Sequence, residues 1–427
     1  MKKWSSFIFK FMTESDVVML NTKNTAIISL ERKVFLEISY SLKNPYHTSE
    51  NNDVIQKLEN MEFIIKSDTD EFADFYNHVE KMRDDNSKLY VALMTTTVCN
   101  FECKYCYEDG IDKTIMLNQD IAKEFVAYIR DYTQINELKE LKICLYGGEP
   151  TLSWGYVVEI LSEISNICQE RNIVLKTEMI TNGYLLNEKK IKDLIPFNLI
   201  FVQITLDGAK EYHDKSRYIK GNGATYDVII NNISTLFKLS DNAKIAIRVN
   251  CDKENIESVP ILVEFLKNKF GTKRLIINFG HVFDFGSDYM LDEYTFADKI
   301  PDLCKILEKY GFGTQDLYMF SSFCMSKSNN GIVLYPNGDI YKCLGLVGRE
   351  EYKFGTIYER NIFKSHFNKK WYDYCAEQSC CFLPICHSGC INQSIRKYND
   401  PSKVYCRKEQ LETTNMKLIL SNLFSNN

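Results

Sequence analysis

From about residue 89 the chain alternates short β-branched or aromatic runs with amphipathic patterns six times, which restricts the fold to βα units around a parallel sheet. Strands are expected at 89–97, 141–146, 174–181, 199–206, 244–250 and 274–283. Between them, 119–132, 155–170, 226–239 and 256–270 place apolar residues three and four apart, the helical period. The flanks read differently. Residues 1–88 predict a small α+β domain: a strand or hairpin arm in the first twelve residues, strands at 25–30 and 34–40, a polar break at 44–53, then helical periodicity to Arg83. Residues 312–427 lose regular periodicity and gain cysteines, as a lobe held by metal does. The expected fold class is α/β, a partial (β/α)6 TIM-like barrel over 89–311 between a small N-terminal domain and a C-terminal cysteine-rich iron–sulfur domain.

Barrels of this kind carry their chemistry at the C-terminal ends of the strands. Cys99, Gly147-Gly148-Glu149, Asn182-Gly183 and Asp207-Gly208 each follow an expected strand, so they share one rim.

The cysteine distribution adds a second constraint. Of fifteen cysteines, three crowd into 99–106 and eight fall between 324 and 406; Cys144, Cys168, Cys251 and Cys304 stand alone and read as small buried hydrophobes. No apolar run reaches the roughly 18 to 20 residues that cross a bilayer. The first twelve residues imitate a signal peptide, but Lys10 breaks the apolar stretch and Glu14 and Asp16 follow. A cytoplasmic protein without a membrane partner is expected, and there thiols stay reduced, so metal binding explains the cysteines better than disulfides do. With 52 basic against 57 acidic residues, the chain has no basic field to attract nucleic acid.

The spacing Cys99-x3-Cys103-x2-Cys106 lets three thiolates face one point from a short loop, the ligand type an iron–sulfur cluster requires. Spacing alone leaves a three-thiolate zinc site with a distant fourth ligand open. Taken with Tyr105 before the last cysteine, the loop resembles that of the radical S-adenosylmethionine (radical SAM) enzymes. The resemblance implies a 4Fe–4S cluster on these three cysteines, with S-adenosylmethionine on the iron they leave free. It implies that Gly147, Gly148 and Glu149 receive the methionine amino group, the glycines letting the cofactor approach the backbone and the carboxylate accepting the amine. It places Asn182 near the ribose, and it gives the methionine carboxylate to Thr205 and Arg217. The stretch 203–208 followed by His213-Asp214-Lys215-Ser216-Arg217 is similar to the branch that modifies peptides and proteins.

The C-terminal cysteines resemble the twitch and SPASM extension, which implies one or two auxiliary 4Fe–4S clusters. By that resemblance Cys324, Cys343 and Cys390 bind one, and Cys380, Cys386 and Cys406 the other. The turn 335–339 has hairpin chemistry, with Gly338 supplying the positive φ. Two positions depart from the family pattern: Glu377 stands where a cysteine often lies, with Cys375 or Cys381 available to replace it, and Tyr318 stands where some members carry another cysteine. One auxiliary cluster is therefore expected to keep an iron open for a substrate thiolate.

The implied activity is reductive cleavage of S-adenosylmethionine to a 5′-deoxyadenosyl radical that takes a hydrogen from a ribosomal precursor peptide, forming a thioether from cysteine sulfur to carbon. The partners implied are that peptide, as leader plus cysteine-containing core, and a flavodoxin- or ferredoxin-type reductant. The N-terminal domain is expected to grip the leader by strand addition. Three alternatives stand beside this: a sulfatase-maturase-like enzyme forming formylglycine, a carbon–carbon crosslinking or epimerising peptide maturase, and a noncatalytic electron carrier. The sulfatase maturases typically place an aspartate after the cysteine matching Cys343, and here Leu344 follows, which cannot act as a base.

Overall fold

A computed structural model describes residues 1–425 except 45, 48, 107, 109, 222, 283–289, 314–323 and 360–368. Tyr318 and the expected end of the last strand at 283 lie outside the described residues. The described residues divide into two compact units: 1–82 with 369–425, and 83–313 with 324–359. These units do not follow the expected boundary at 311/312, because residues 324–359 fall with the barrel and residues 369–425 with the N-terminal segment.

In the first unit, β1 (Lys2–Trp4) leads to β2 (Ile8–Met12), β3 (Asp16–Asn21) and β4 (Ile27–Glu31), an antiparallel sheet in that order. Then come α1 (Arg32–Lys43), α2 (Asn52–Asn60), β5 (Ile64–Lys66), which pairs with β1, and α3 (Glu71–Arg83). The hairpin expected at the start is present. The strand expected at 34–40 is instead α1. Strand alternation would put Val34, Leu36, Ile38 and Tyr40 on one face, but Leu36 and Tyr40 are 64% and 57% exposed while Phe35 and Ile38, three apart, are buried.

The second unit is built on a nine-stranded sheet. Its parallel strands are β6 (Lys88–Met94), β7 (Glu140–Tyr146), β8 (Val174–Thr181), β9 (Leu199–Thr205), β10 (Lys244–Cys251) and β11 (Leu275–His281), each hydrogen-bonded to the next. The crossovers carry α4 (Gln119–Ile135), α5 (Trp154–Glu170), α6 (Glu188–Leu194), α7 (Lys210–Ser216), α8 (Tyr226–Leu239) and α9 (Val259–Phe270), with α10 (Glu293–Lys309) after β11. This is the expected six-unit partial barrel. Beyond β6 the sheet continues with β12 (Gly331–Leu334), parallel to it, then β13 (Asp339–Tyr341) and β14 (Gly355–Thr356), antiparallel. β12 and β13 form the expected hairpin, with Gly338 at φ +94°. Lys342, 1% exposed, follows it and donates to the carbonyls of Ser328, Asn329 and Gly331 at 3.2, 3.0 and 2.8 Å. Those three acceptors satisfy the ammonium group inside the fold. The four isolated cysteines are buried, as expected.

Four helices complete the first unit: α11 (Lys369–Glu377), α12 (Leu383–Cys386), α13 (Ile391–Tyr398) and α14 (Lys408–Ser425). Phe9, Val18 and Leu20 of its sheet pack with Phe382, Ile385 and Leu411. Phe7 packs with Tyr372 and Leu383. The N-terminal strands and C-terminal helices thus share their cores.

Candidate active site

The barrel's parallel strands place seven expected residues around one cavity of about 310 Å³: Cys99, Cys103 and Cys106 with Tyr105 from the loop after β6, Asn182 after β8, Thr205 at the end of β9, and Arg217 after α7. Gly147 and Gly148 line it as well. Cavities of about 510 and 560 Å³ lie elsewhere, but neither is lined by a cysteine, so chemistry rather than size picks this site. Among the described residues no group of three His, Cys, Asp or Glu side chains is arranged to hold a single metal ion. Burial pushes the Cys99 thiol up to about 12, and those of Cys103 and Cys106 upward too. Without a cation these groups stay protonated, so assembling a metal centre here releases protons.

A Cβ on Gly147 would lie 2.3 Å from the Thr96 carbonyl oxygen, and one on Gly148 would lie 2.4 Å from that of Val98 and 2.6 Å from that of Thr97. Gly148 N–H donates to Thr96 O at 2.8 Å and Glu149 N–H to Val98 O at 2.9 Å. The glycines thus bring the end of β7 against the segment that leads into Cys99. Glu149 does not line the cavity. Its carboxylate is fully buried behind the wall and accepts from Thr151 N–H (3.0 Å), the Thr151 and Thr181 hydroxyls (2.6 and 2.8 Å) and Asn182 N–H (2.8 Å). It ties the end of β7 to the end of β8.

A buried network that the sequence did not reveal holds the cysteine loop. The Tyr105 hydroxyl donates to Asp207 and accepts from Arg217 Nη1 at 2.8 Å and Asn250 Nδ2 at 3.2 Å. Burial pushes the Asp207 carboxyl upward, against the opposing pull of Arg217, the Tyr105 hydroxyl and the Asn250 N–H. Asn182 Nδ2 donates to Asn100 Oδ1 at 2.8 Å, fixing the residue beside Cys99. Arg217 Nε is buried without a hydrogen-bond partner among the described residues. An unsatisfied guanidinium N–H on the cavity, beside Thr205 and three thiols, fits a cofactor that brings a carboxylate to a thiolate-bound cluster.

His213 holds the loop that carries Arg217. Its Nδ1 accepts from Asp207 N–H at 3.2 Å, its Nε2 contacts the Thr225 hydroxyl at 3.1 Å, and burial holds its pKa well below the usual imidazole value. Below about pH 6.5 the unfolded chain binds a proton at this histidine that the folded chain does not, so stability falls as pH falls, by up to about 1.4 kcal/mol per pH unit. Anaerobic denaturation midpoints at pH 5.5 and 7.5 should show this loss, and H213N should reduce the difference.

In the first unit, Cys375, 8% exposed on α11, lies near Cys380, Cys386 and Cys406, and its carbonyl accepts from Cys380 N–H at 3.0 Å. Cys381 instead faces Cys380, Lys408 and Glu412. Cys324 and Cys343 belong to the second unit and Cys390 to the first.

The Radical SAM superfamily model matches residues 93–266. A cysteine-type anaerobic sulfatase-maturating enzyme of Clostridium novyi is 26% identical over 333 residues, 68% of this chain and 84% of that protein. Two further curated relatives, at 24% and 25% identity, are matched over only 44% of their own length, so the chain spans less than half of each. Among solved structures, native anSMEcpe with bound AdoMet and a Kp18Cys peptide superposes with a TM-score of 0.60 at 17% identity, covering 79% of this chain and 99% of that one. Streptococcus suis SuiB bound to precursor peptide SuiA gives 0.51 at 17% identity, covering 94% and 98%. The cysteine loop, the strand-end residues around it and the matched span agree that residues 93–266 form a domain of the radical SAM superfamily.

Proposed function

We propose that this protein is an enzyme that modifies a ribosomal precursor peptide by radical chemistry, joining a cysteine sulfur to a carbon. The observation that carries the reading is the convergence of Cys99, Cys103, Cys106, Asn182, Thr205 and Arg217 on one cavity. When bound, a 4Fe–4S cluster with S-adenosylmethionine supplies a carbon radical able to take a hydrogen atom from a substrate C–H. The chain's own residues do the rest: the three thiolates hold the cluster, Arg217 and Thr205 hold the methionine carboxylate, Asn182 sits by the ribose, and the Tyr105–Asp207–Arg217 network keeps the loop in place. A flavodoxin- or ferredoxin-type protein would supply the electron that generates the radical; the substrate C–H gives up its hydrogen atom to that radical, the cysteine thiol gives up its proton, and the electron released as the S–C bond forms would pass to an auxiliary iron–sulfur centre.

The cysteine field supports the thioether. Cys375 lies near Cys380, Cys386 and Cys406 and brings that set to four thiolates, whereas the other set implied by the resemblance is one thiolate short, which would leave an iron position for a substrate thiolate. Sulfatase maturation, the activity named for the Clostridium relative, is disfavoured because Leu344 packs beside Tyr335, Tyr341 and Val347 and carries no base.

The leader is assigned to the free edge of β4. Its ladder with β3 runs through even-numbered residues, since Asn21 N–H donates to Ala26 O and Arg32 N–H to Ser15 O. The N–H groups of Ile27, Ser29 and Glu31 therefore face outward, where an added strand would pair. Deleting the N-terminal segment is a poor test, because it would strip the core shared with α11, α12 and α14. S29P removes one outward donor and no ladder bond. It should cut modification of the co-encoded peptide at least tenfold by mass spectrometry, while 5′-deoxyadenosine formation without peptide stays within twofold. Equal peptide turnover would refute leader docking at β4; absence of deoxyadenosine from the unmutated protein would refute the radical chemistry itself.

A further inference from the structure

The parallel strands leave a second cation in the cavity, one that the motifs do not account for. Arg248 projects from β10 opposite Thr205 in the register, two residues before Asn250, and lines the same space as the three cysteines. Its side chain lies across Gly280 of β11. A Cβ there would fall 1.5 Å from Nη2 and 1.8 Å from Cζ, so only glycine leaves room for the guanidinium.

The two arginines are satisfied differently. Arg217 has Asp207 at 3.9 Å and the Tyr105 hydroxyl. Arg248 has neutral partners only: Nε donates to Asn250 Oδ1 at 3.0 Å and Nη1 reaches the Phe279 carbonyl at 3.4 Å. Among the described residues no carboxylate pairs with it, and burial pulls its pKa downward. A half-buried guanidinium that faces the cavity with only neutral partners is ready to take up an anion there. Its planar fork matches a carboxylate, and its place beside Thr205 gives that carboxylate two sources: the methionine end of the cofactor or an acidic group of the substrate.

We propose that Arg248 is the anchoring cation of a carboxylate subsite in this cavity, with Gly280 as the notch that admits it. The assignment of the source rests on reading the cavity as the reaction site; the existence of the subsite does not.

The test compares wild-type and R248Q holoenzyme, matched for iron content and near-ultraviolet circular dichroism, in two titrations. One measures Kd for S-adenosylmethionine and for its decarboxylated analogue. The other follows saturation-transfer NMR to Ac-Gly-Glu-Gly-NH2 and its Gln counterpart with cofactor present. Removing a charge-assisted pair should cost about tenfold or more in one arm. A loss confined to S-adenosylmethionine, with the analogue unchanged, assigns the subsite to the cofactor. Unchanged cofactor affinity with loss of a Glu-over-Gln preference assigns it to the substrate. G280A should reproduce whichever loss appears. If R248Q does not fold, R248K carries the test, with the same ligand weakened severalfold. Unchanged behaviour in both arms overturns the proposal. A wild-type protein that binds no S-adenosylmethionine yet prefers the Glu peptide would sink the functional reading and leave the subsite standing.

Discussion

C103A should lose about four irons per chain and all cleavage of S-adenosylmethionine. Three thiolates are the fewest that hold such a cluster while leaving an iron for the cofactor, and the loop offers no substitute. Cys103 sits between Cys99 and Cys106 on the cavity wall, and burial raises all three thiols, so none is ionised in advance. Cluster assembly must therefore supply the energy to deprotonate them, and two ligands supply less of it than three. The comparison is C144A. Cys144 lies buried on β7 in the same unit, its thiol also raised to about 12, but no strand end turns it toward the cavity. Iron analysis and 5′-deoxyadenosine yield should fall together in C103A and stay at the wild-type level in C144A. Equal losses in both variants would mean that thiols are being lost to misfolding rather than to missing ligation.

The barrel was legible because its strands are rich in β-branched and aliphatic residues and keep one face buried, as β8 does with its alternation of buried and half-buried side chains. β8 and α8 begin and end where periodicity places them, at 174–181 and 226–239. α1 was misread because Val34, Phe35, Leu36 and Ile38 are apolar enough for either period; the deciding fact, that Leu36 stays exposed, belongs to tertiary packing. Within the site, the residue types followed from motif spacing, but their contacts did not. Motif spacing marks Glu149 as an amine receptor but does not reveal that its carboxylate also links two strand ends. Tyr105, Asp207 and Asn250 are 102 and 145 positions apart across their shared hydroxyl, a separation no local pattern encodes. Arg248 and Asn250 left one usable trace: two polar residues spaced by two on a strand that is otherwise apolar after Lys244, which places both on one face.

G148A is the second large effect, and it separates a glycine required by close packing from one required by its own flexibility. Gly148 has no positive φ, so its own backbone would accept alanine. What it lacks is room: the new methyl would meet the carbonyl oxygens of Val98 and Thr97 at 2.4 and 2.6 Å, both backbone atoms in a segment held by the hydrogen bonds from Gly148 and Glu149. A side chain could swing away; a carbonyl can move only with its chain, and Cys99 is the next residue. The cost of such overpacking is about 1–3 kcal/mol. Because the displacement falls on a ligand rather than on distant core, cluster occupancy and cofactor cleavage should each drop at least tenfold, more than the loss of stability alone would produce. G155A is the control. Gly155 lies in the first turn of α5 with nothing within 4 Å of an added Cβ, and alanine there should stabilise the helix by about 0.5–1 kcal/mol. A G148A protein with a full complement of iron and wild-type cleavage would show that the strand end and the cysteine loop need not approach so closely, and the geometric account of the two glycines would fall with it.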